Sequence, residues 1–148
     1  KLHFDFAGKF FEEIEKEFFE NYVNENELQD FVTYHGVVSG EKKIELLNKC
    51  DIFTLITRYP NEGQPISILE AMGNGMAILT TDHAGIKDVV ENGKNGTVVT
   101  NAQQQDIEYL YSGLRCDNQV MINNRNKTLQ NYMESTYLDN LQKIFKQI

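Results

Sequence analysis

Short β-rich apolar runs alternate with helix-period stretches along most of this chain, and that alternation limits the fold more than any other feature. Residues 2–7 read as a strand ending at Gly8, and 31–34 as a second strand followed by His35-Gly36. DIFTLIT (51–57) is near-continuously apolar, as a parallel strand covered on both faces should be. MAILT (76–80) and TVVT (97–100) complete the set. Between them lie helical patterns. Phe11, Ile14, Phe18 and Tyr22 share one spacing, and Ile44, Leu47 and Cys50 another, with Ser39 as the expected N-cap. Residues 84–91 suggest a brief helix, and from about residue 103 Leu110, Leu114, Tyr132, Leu138, Leu141 and Ile144 are expected to face inward. Strand then helix, repeated about five times, predicts an α/β, doubly wound parallel sheet of Rossmann-like type with C-terminal helices. One domain is expected over 1–148, with its sheet core over 1–100 and a helical segment over 103–148.

A chain of 148 residues is long enough to bury a real core. Its net charge of −8 argues against nucleic acid or an anionic membrane as the main partner. No run reaches the roughly 20 apolar residues of a membrane helix. Cys50 and Cys116 have no metal or redox spacing and read as reduced thiols. The chain opens on Lys1, inside strand-like sequence, and is expected to be a piece of a longer polypeptide.

In open α/β sheets ligands bind beyond the carboxyl ends of the strands. That rule selects the loops after 31–34, 52–57 and 76–80. The loop after Thr57 leads into EGQPISILEAMGNG (62–75). Proline at 65 suits the first helical position, because its missing N–H would be unpaired there. Ile66, Leu69 and Met72 mark the expected apolar face, and Gly73 or Gly75 the end. Amides around Gly63, Gln64, Ile66 and Ser67 would then form an anion site at a helix N-terminus, suited to phosphate or diphosphate. Glu70 falls about 7 Å along the axis from Pro65, at 1.5 Å per residue. Glu62 and Glu70 would repel phosphate but accept hydrogen bonds from polyols on either side of it. The plain alternative is that Glu62 meets the helix dipole and Glu70 is a solvated face residue.

The run from Glu62 to Leu79 continues into AGIKDVV (84–90) and ENGKNG (91–96). Over residues 2–99 this order resembles the C-terminal, donor-binding domain of retaining GT-B glycosyltransferases, glycosyl transferases group 1 or family 4. The family's usual form is E-G-F-G, a short gap, E-A-M-A-x-G-x-P-V-I, then G-G-x-x-E-I-V and x-x-G-x-x-G. The resemblance implies one half of a two-domain enzyme that moves a sugar from a nucleotide diphosphate sugar to a hydroxyl acceptor. Its expected setting is bacterial cell-surface polysaccharide or lipopolysaccharide synthesis.

It implies that Glu62, the expected catalytic residue, holds donor-sugar hydroxyls and that Glu70 holds the ribose. Gly63, Gln64, Pro65 and Ile66 would hold the sugar and distal phosphate, and Gly36, Val37 and Val38 would line the base pocket. Gly85 would permit close backbone packing. Arg58 at a strand end would reach a phosphate or form a surface ion pair with Glu62 or another acid. His83 is a further candidate at a strand end, and His35 either touches the base or is a hydrogen-bonded loop histidine. No metal and no cofactor beyond the donor substrate is implied. The expected partners are a UDP-, GDP- or ADP-linked sugar, an acceptor glycan or glycolipid, and an N-terminal domain of the same polypeptide. The expected location is cytoplasmic, with peripheral attachment at the inner face of a membrane as an option.

Three departures bear on activity. Gln64-Pro65 stands for the family's Phe-Gly and removes one amide donor, Ala84 replaces the first glycine of the pair, and Asp88 a glutamate. The family's Arg/Lys diphosphate clamp would lie before Lys1, so these 148 residues alone are expected to bind nucleotide weakly and to catalyse poorly or not at all. A nucleotide-sugar epimerase of the same architecture and a non-catalytic binding module are the alternative readings.

Overall fold

The computed structural model describes residues 2–61, 63–116 and 118–146, with the side chains of 114–116 outside that description. Among the described residues five strands and six helices follow in the order β1 (Phe4–Ala7), α1 (Glu13–Glu25), β2 (Val32–Gly36), α2 (Gly40–Lys49), β3 (Ile52–Leu55), α3 (Ile66–Gly73) and β4 (Ala77–Thr81). A tight helical turn (Ala84–Asp88), β5 (Gly96–Val99), α4 (Gln104–Cys116), α5 (Gln119–Asn131) and α6 (Glu134–Phe145) complete the chain. All strand pairs are parallel: β1 with β2, and β3-β4-β5 in that order. Parallel sheets with flanking helices are the α/β class that the alternation predicts. The chain divides into two compact units, Lys1–Leu46 and Leu47–Ile148, each described by itself.

In the second unit every residue of AILTT in β4 is buried, because β4 is the middle strand of its sheet. Side chains alternate across the sheet. Ile78 packs in one cluster with Ile68, Ala71 and Met72 of α3, while Ala77 and Leu79 join Leu110 of α4 in another. Each fully buried Ile, Leu or Met contributes about 1.5–3 kcal/mol relative to exposure. Gly96 fits where no other residue can: a Cβ there would lie 2.7 Å from Ile78 O and 2.8 Å from Val90 Cγ1. Asn124 of α5 is fully buried, and its amide donates to Met76 O and Asn95 O, both at 2.8 Å. That one side chain ties a helix, the entry to β4 and the turn before β5. Nothing in the local sequence singles it out.

Three expectations of facing change. The inward face of α3 is Ile68, Ala71 and Met72, with Leu69 half-buried, whereas Ile66 is 72% exposed. Pro65 is buried and precedes the first helical residue instead of occupying it, and with that start Ile66 points away from the sheet. The strand covered on both faces is β4, not β3, whose edge position leaves Thr54 exposed. Of the C-terminal set, Leu110 is buried and Tyr132 packs on the core, but Leu138 and Ile144 are exposed. Leu114 falls outside the described side chains.

In the first unit, Phe6, Phe10, Phe19 and Tyr34 form an aromatic cluster with ring centroids 5.2–6.1 Å apart. The residues that share the first helical spacing, Phe11, Ile14, Phe18 and Tyr22, are exposed. Ile44 of α2 is exposed too. Apolar residues occupy about half of α1's circumference, so the spacing admits two inward faces, and the structure takes the one carrying Phe19 and Val23.

Candidate functional site

Parallel pairing brings the carboxyl ends of β3 and β4 to the same edge of the sheet, with Leu55 opposite Thr80. The two threonines that end β4 lace that edge. Thr80 Oγ1 donates to Leu55 O at 2.8 Å and Thr81 Oγ1 to Thr57 O at 2.6 Å. Both hydroxyls are buried, so each bond satisfies a donor that would otherwise be costly to bury.

The loop after β3 is then fixed at three points. Arg58 Nη2 donates to Thr100 O, beyond β5, with Asn101 Oδ1 at 3.4 Å. Tyr59 O lies 2.7 Å from His83 Nε2. A carbonyl only accepts, so Nε2 carries the proton in that bond. Gly63 O accepts from Gly85 N at 3.1 Å. At that last point a Cβ on residue 85 would sit 3.0 Å from Gly63 O and 3.3 Å from Gln64 N. Gly85 therefore lets the turn after β4 press against the segment that feeds α3. Its neighbour Ala84 has φ +48°, a left-handed conformation that glycine tolerates better than alanine.

Beyond Gly63, Gln64 is exposed and Pro65 takes φ −65° and ψ 115°. Pro65 O accepts from Ile68 N at 3.1 Å. The amides of Ile66 and Ser67 precede that first intrahelical bond and stand at the positive end of α3. Pro65 itself brings no donor. Glu70 is half-buried in the second turn, and its carbonyl accepts from both Asn74 nitrogens. Glu62 lies outside the described residues.

The structure thus brings Arg58, Gly63, Gln64, Pro65, Ile66, His83 and Gly85 to one edge of the second unit. Arg58 bonds to backbone and amide oxygens at Thr100 and Asn101, and the ion pair expected with Glu62 falls outside the described residues. In the first unit, Gly36 has φ +65°, Val37 is exposed and Val38 half-buried. His35 Nε2 lies 2.7 Å from Asp5 Oδ1, the hydrogen-bonded partner expected of that histidine. Thr80, Thr81 and Tyr59 were not singled out in the sequence. A pair of threonines closing an apolar strand is the signal that marks them. Among the described residues no group of three or more His, Cys, Asp or Glu side chains is arranged to hold a metal ion. No helix among them is long and apolar enough to cross a membrane.

These observations meet a family that is known. The model of Glycosyl transferases group 1 matches residues 1–132, and the chain belongs to that family. Two relatives give the scale of the likeness. The N,N'-diacetylbacillosaminyl-diphospho-undecaprenol alpha-1,3-N-acetylgalactosaminyltransferase of Campylobacter jejuni is 34% identical over 80 residues, 54% of this chain and 21% of that protein. The amylovoran biosynthesis glycosyltransferase AmsK of Erwinia amylovora is 28% identical over 87 residues, 56% of this chain and 21% of its own length. The chain therefore spans about a fifth of these relatives. In structure it matches Anabaena HepE, crystallised in complex with UDP, with a TM-score of 0.82 at 18% identity, over 99% of this chain and 41% of HepE. At that identity the likeness concerns the fold.

Proposed function

We propose that this chain is the donor-binding part of a retaining glycosyltransferase acting on a bacterial cell-surface polysaccharide or glycolipid, and that it works in the cytoplasm. The observation that carries the reading is the loop fixed by Arg58, Tyr59 and Gly63, which delivers the N-terminus of α3 as a set anion site. The sugar-bearing phosphate would sit against the Ile66 and Ser67 amides, Glu62 would take the sugar hydroxyls, and Glu70 the ribose. The complexes of HepE with UDP and UDP-glucose support a uridine nucleotide as the first ligand to try.

In the reaction, the bond from the anomeric carbon to the diphosphate oxygen breaks and a bond to the acceptor oxygen forms on the same face. The acceptor's proton leaves with the nucleotide diphosphate. Charge growing on that diphosphate is met by amides already in place.

Calorimetry with UDP, GDP and ADP and with their sugars tests the reading. A ligand bound only by the folded chain raises its stability by RT ln(1 + [L]/Kd). Glu70→Ala is expected to weaken every nucleotide, while Glu62→Ala weakens the nucleotide sugar and spares the bare nucleotide. Unchanged affinity in Glu70→Ala would remove the ribose assignment.

A further inference from the structure

The outward face of α1 carries a stripe that the first unit does not use. Ile14, Phe18 and Tyr22 are four residues apart, so they stand in line on one face, and Phe11 precedes them. They are 67%, 72%, 54% and, for Phe11, 84% exposed. The rings of Phe18 and Tyr22 stack with centroids 6.4 Å apart, which makes a continuous surface of two aromatics. Isolated exposed apolar residues are ordinary, but an ordered row of them marks an interaction surface.

Charge decides what covers it. Residues 12–27 contain seven glutamates and one lysine. That lysine, Lys16, is shared between Glu13 at 3.6 Å and Glu20 at 3.8 Å, and Glu15 caps the helix start by accepting from Phe11 N at 3.0 Å. Glu17 and Glu25 remain beside the stripe. A second copy docked face to face would bring two such acidic rims together, and an anionic lipid surface would be repelled in the same way. The face already accepts one cation from its own chain, since Lys9 Nζ lies 5.3 Å from the centre of the Phe11 ring.

We propose that the Phe11–Ile14–Phe18–Tyr22 face of α1 docks an amphipathic helix whose apolar stripe is flanked by lysine or arginine. The apolar contact supplies affinity, and the glutamates select a basic partner over an acidic one. This surface is separate from the donor-site reading and stands or falls without it.

The test uses two synthetic peptides of roughly five helical turns with the same leucine stripe, one flanked by lysines and the other by glutamates. Fluorescence anisotropy is expected to show binding of the basic peptide alone, weakening as added salt shortens the Debye length below ~10 Å. Ile14→Ser with Phe18→Ser should lower that affinity by about tenfold, or ~1.4 kcal/mol. Glu17→Gln with Glu25→Gln should lower it by about threefold. Circular dichroism on each variant checks that the fold survives. Equal binding of both peptides, or of neither, overturns the proposal. So does tighter binding to phosphatidylserine vesicles, or self-association that Phe18→Ser abolishes, since those outcomes give the face to a membrane or a second copy.

Discussion

The helices α1 and α3 make opposite uses of apolar residues. Eight residues of α3 place three side chains in full burial against β4, whereas thirteen residues of α1 bury none completely. The short helix is held by full burial, and the long one by half-buried contacts such as Phe19 in the aromatic cluster, together with the Glu12–Glu15 capping box and the ion pairs of Lys16. On the proposed donor-site reading the difference follows function. A helix that offers its N-terminus to an anion has to be anchored by the opposite face, so its apolar residues go inward. A helix with no such duty can leave an aromatic row at the surface.

Mutations can break or sharpen this contrast. The largest effect is expected from Ile68→Ala, which empties a fully buried position and should cost about 4 kcal/mol in urea unfolding. A loss within the noise would mean that α3 is not anchored as described. Gly96→Ala forces a methyl against Ile78 O and Val90 and should cost about 3 kcal/mol. If that variant keeps wild-type stability, the close approach of β5 to β4 is wrong. Gly85→Ala meets a gentler obstacle, the Gly63 carbonyl, and is expected to cost about 1 kcal/mol of stability. It should also lower nucleotide affinity by about tenfold, because it displaces the entry to α3; equal affinity would detach the loop from the site. The smallest effect belongs to Phe18→Ser on α1, which should leave stability within about 0.5 kcal/mol. A large loss there would show that the stripe is covered within the chain.

Much of this was legible in the residues themselves. GQPISILEAMGNG (63–75) holds the short helix and glycine stop expected of it, with the helix starting one residue later, and the five strands fall within a few residues of their expected places. Facing was harder. Helical period alone cannot choose between Phe18 and Phe19 when both arcs of α1 are apolar, and only the cluster with Phe6, Phe10 and Tyr34 makes the choice. The bonds that fix the site were hidden for another reason. His83 to Tyr59 and Arg58 to Thr100 join residues 24 and 42 apart, and no local pattern encodes such pairs. Gly85 was read as a point of close packing, and the Gly63 carbonyl supplies the partner that the sequence could not name.

Pro65 has a further consequence, and it concerns time and heat more than shape. Its ring fixes φ before any ligand arrives, and its neighbours on the chain are already tied at Tyr59 and Gly63. Ordering a free backbone residue costs about 1–2 kcal/mol in entropy. Little of that cost remains here at the moment of binding. On the donor-site reading, the one amide that proline removes is set against a cradle that does not have to form, so the unfavourable entropy of nucleotide capture should be small for this helix end.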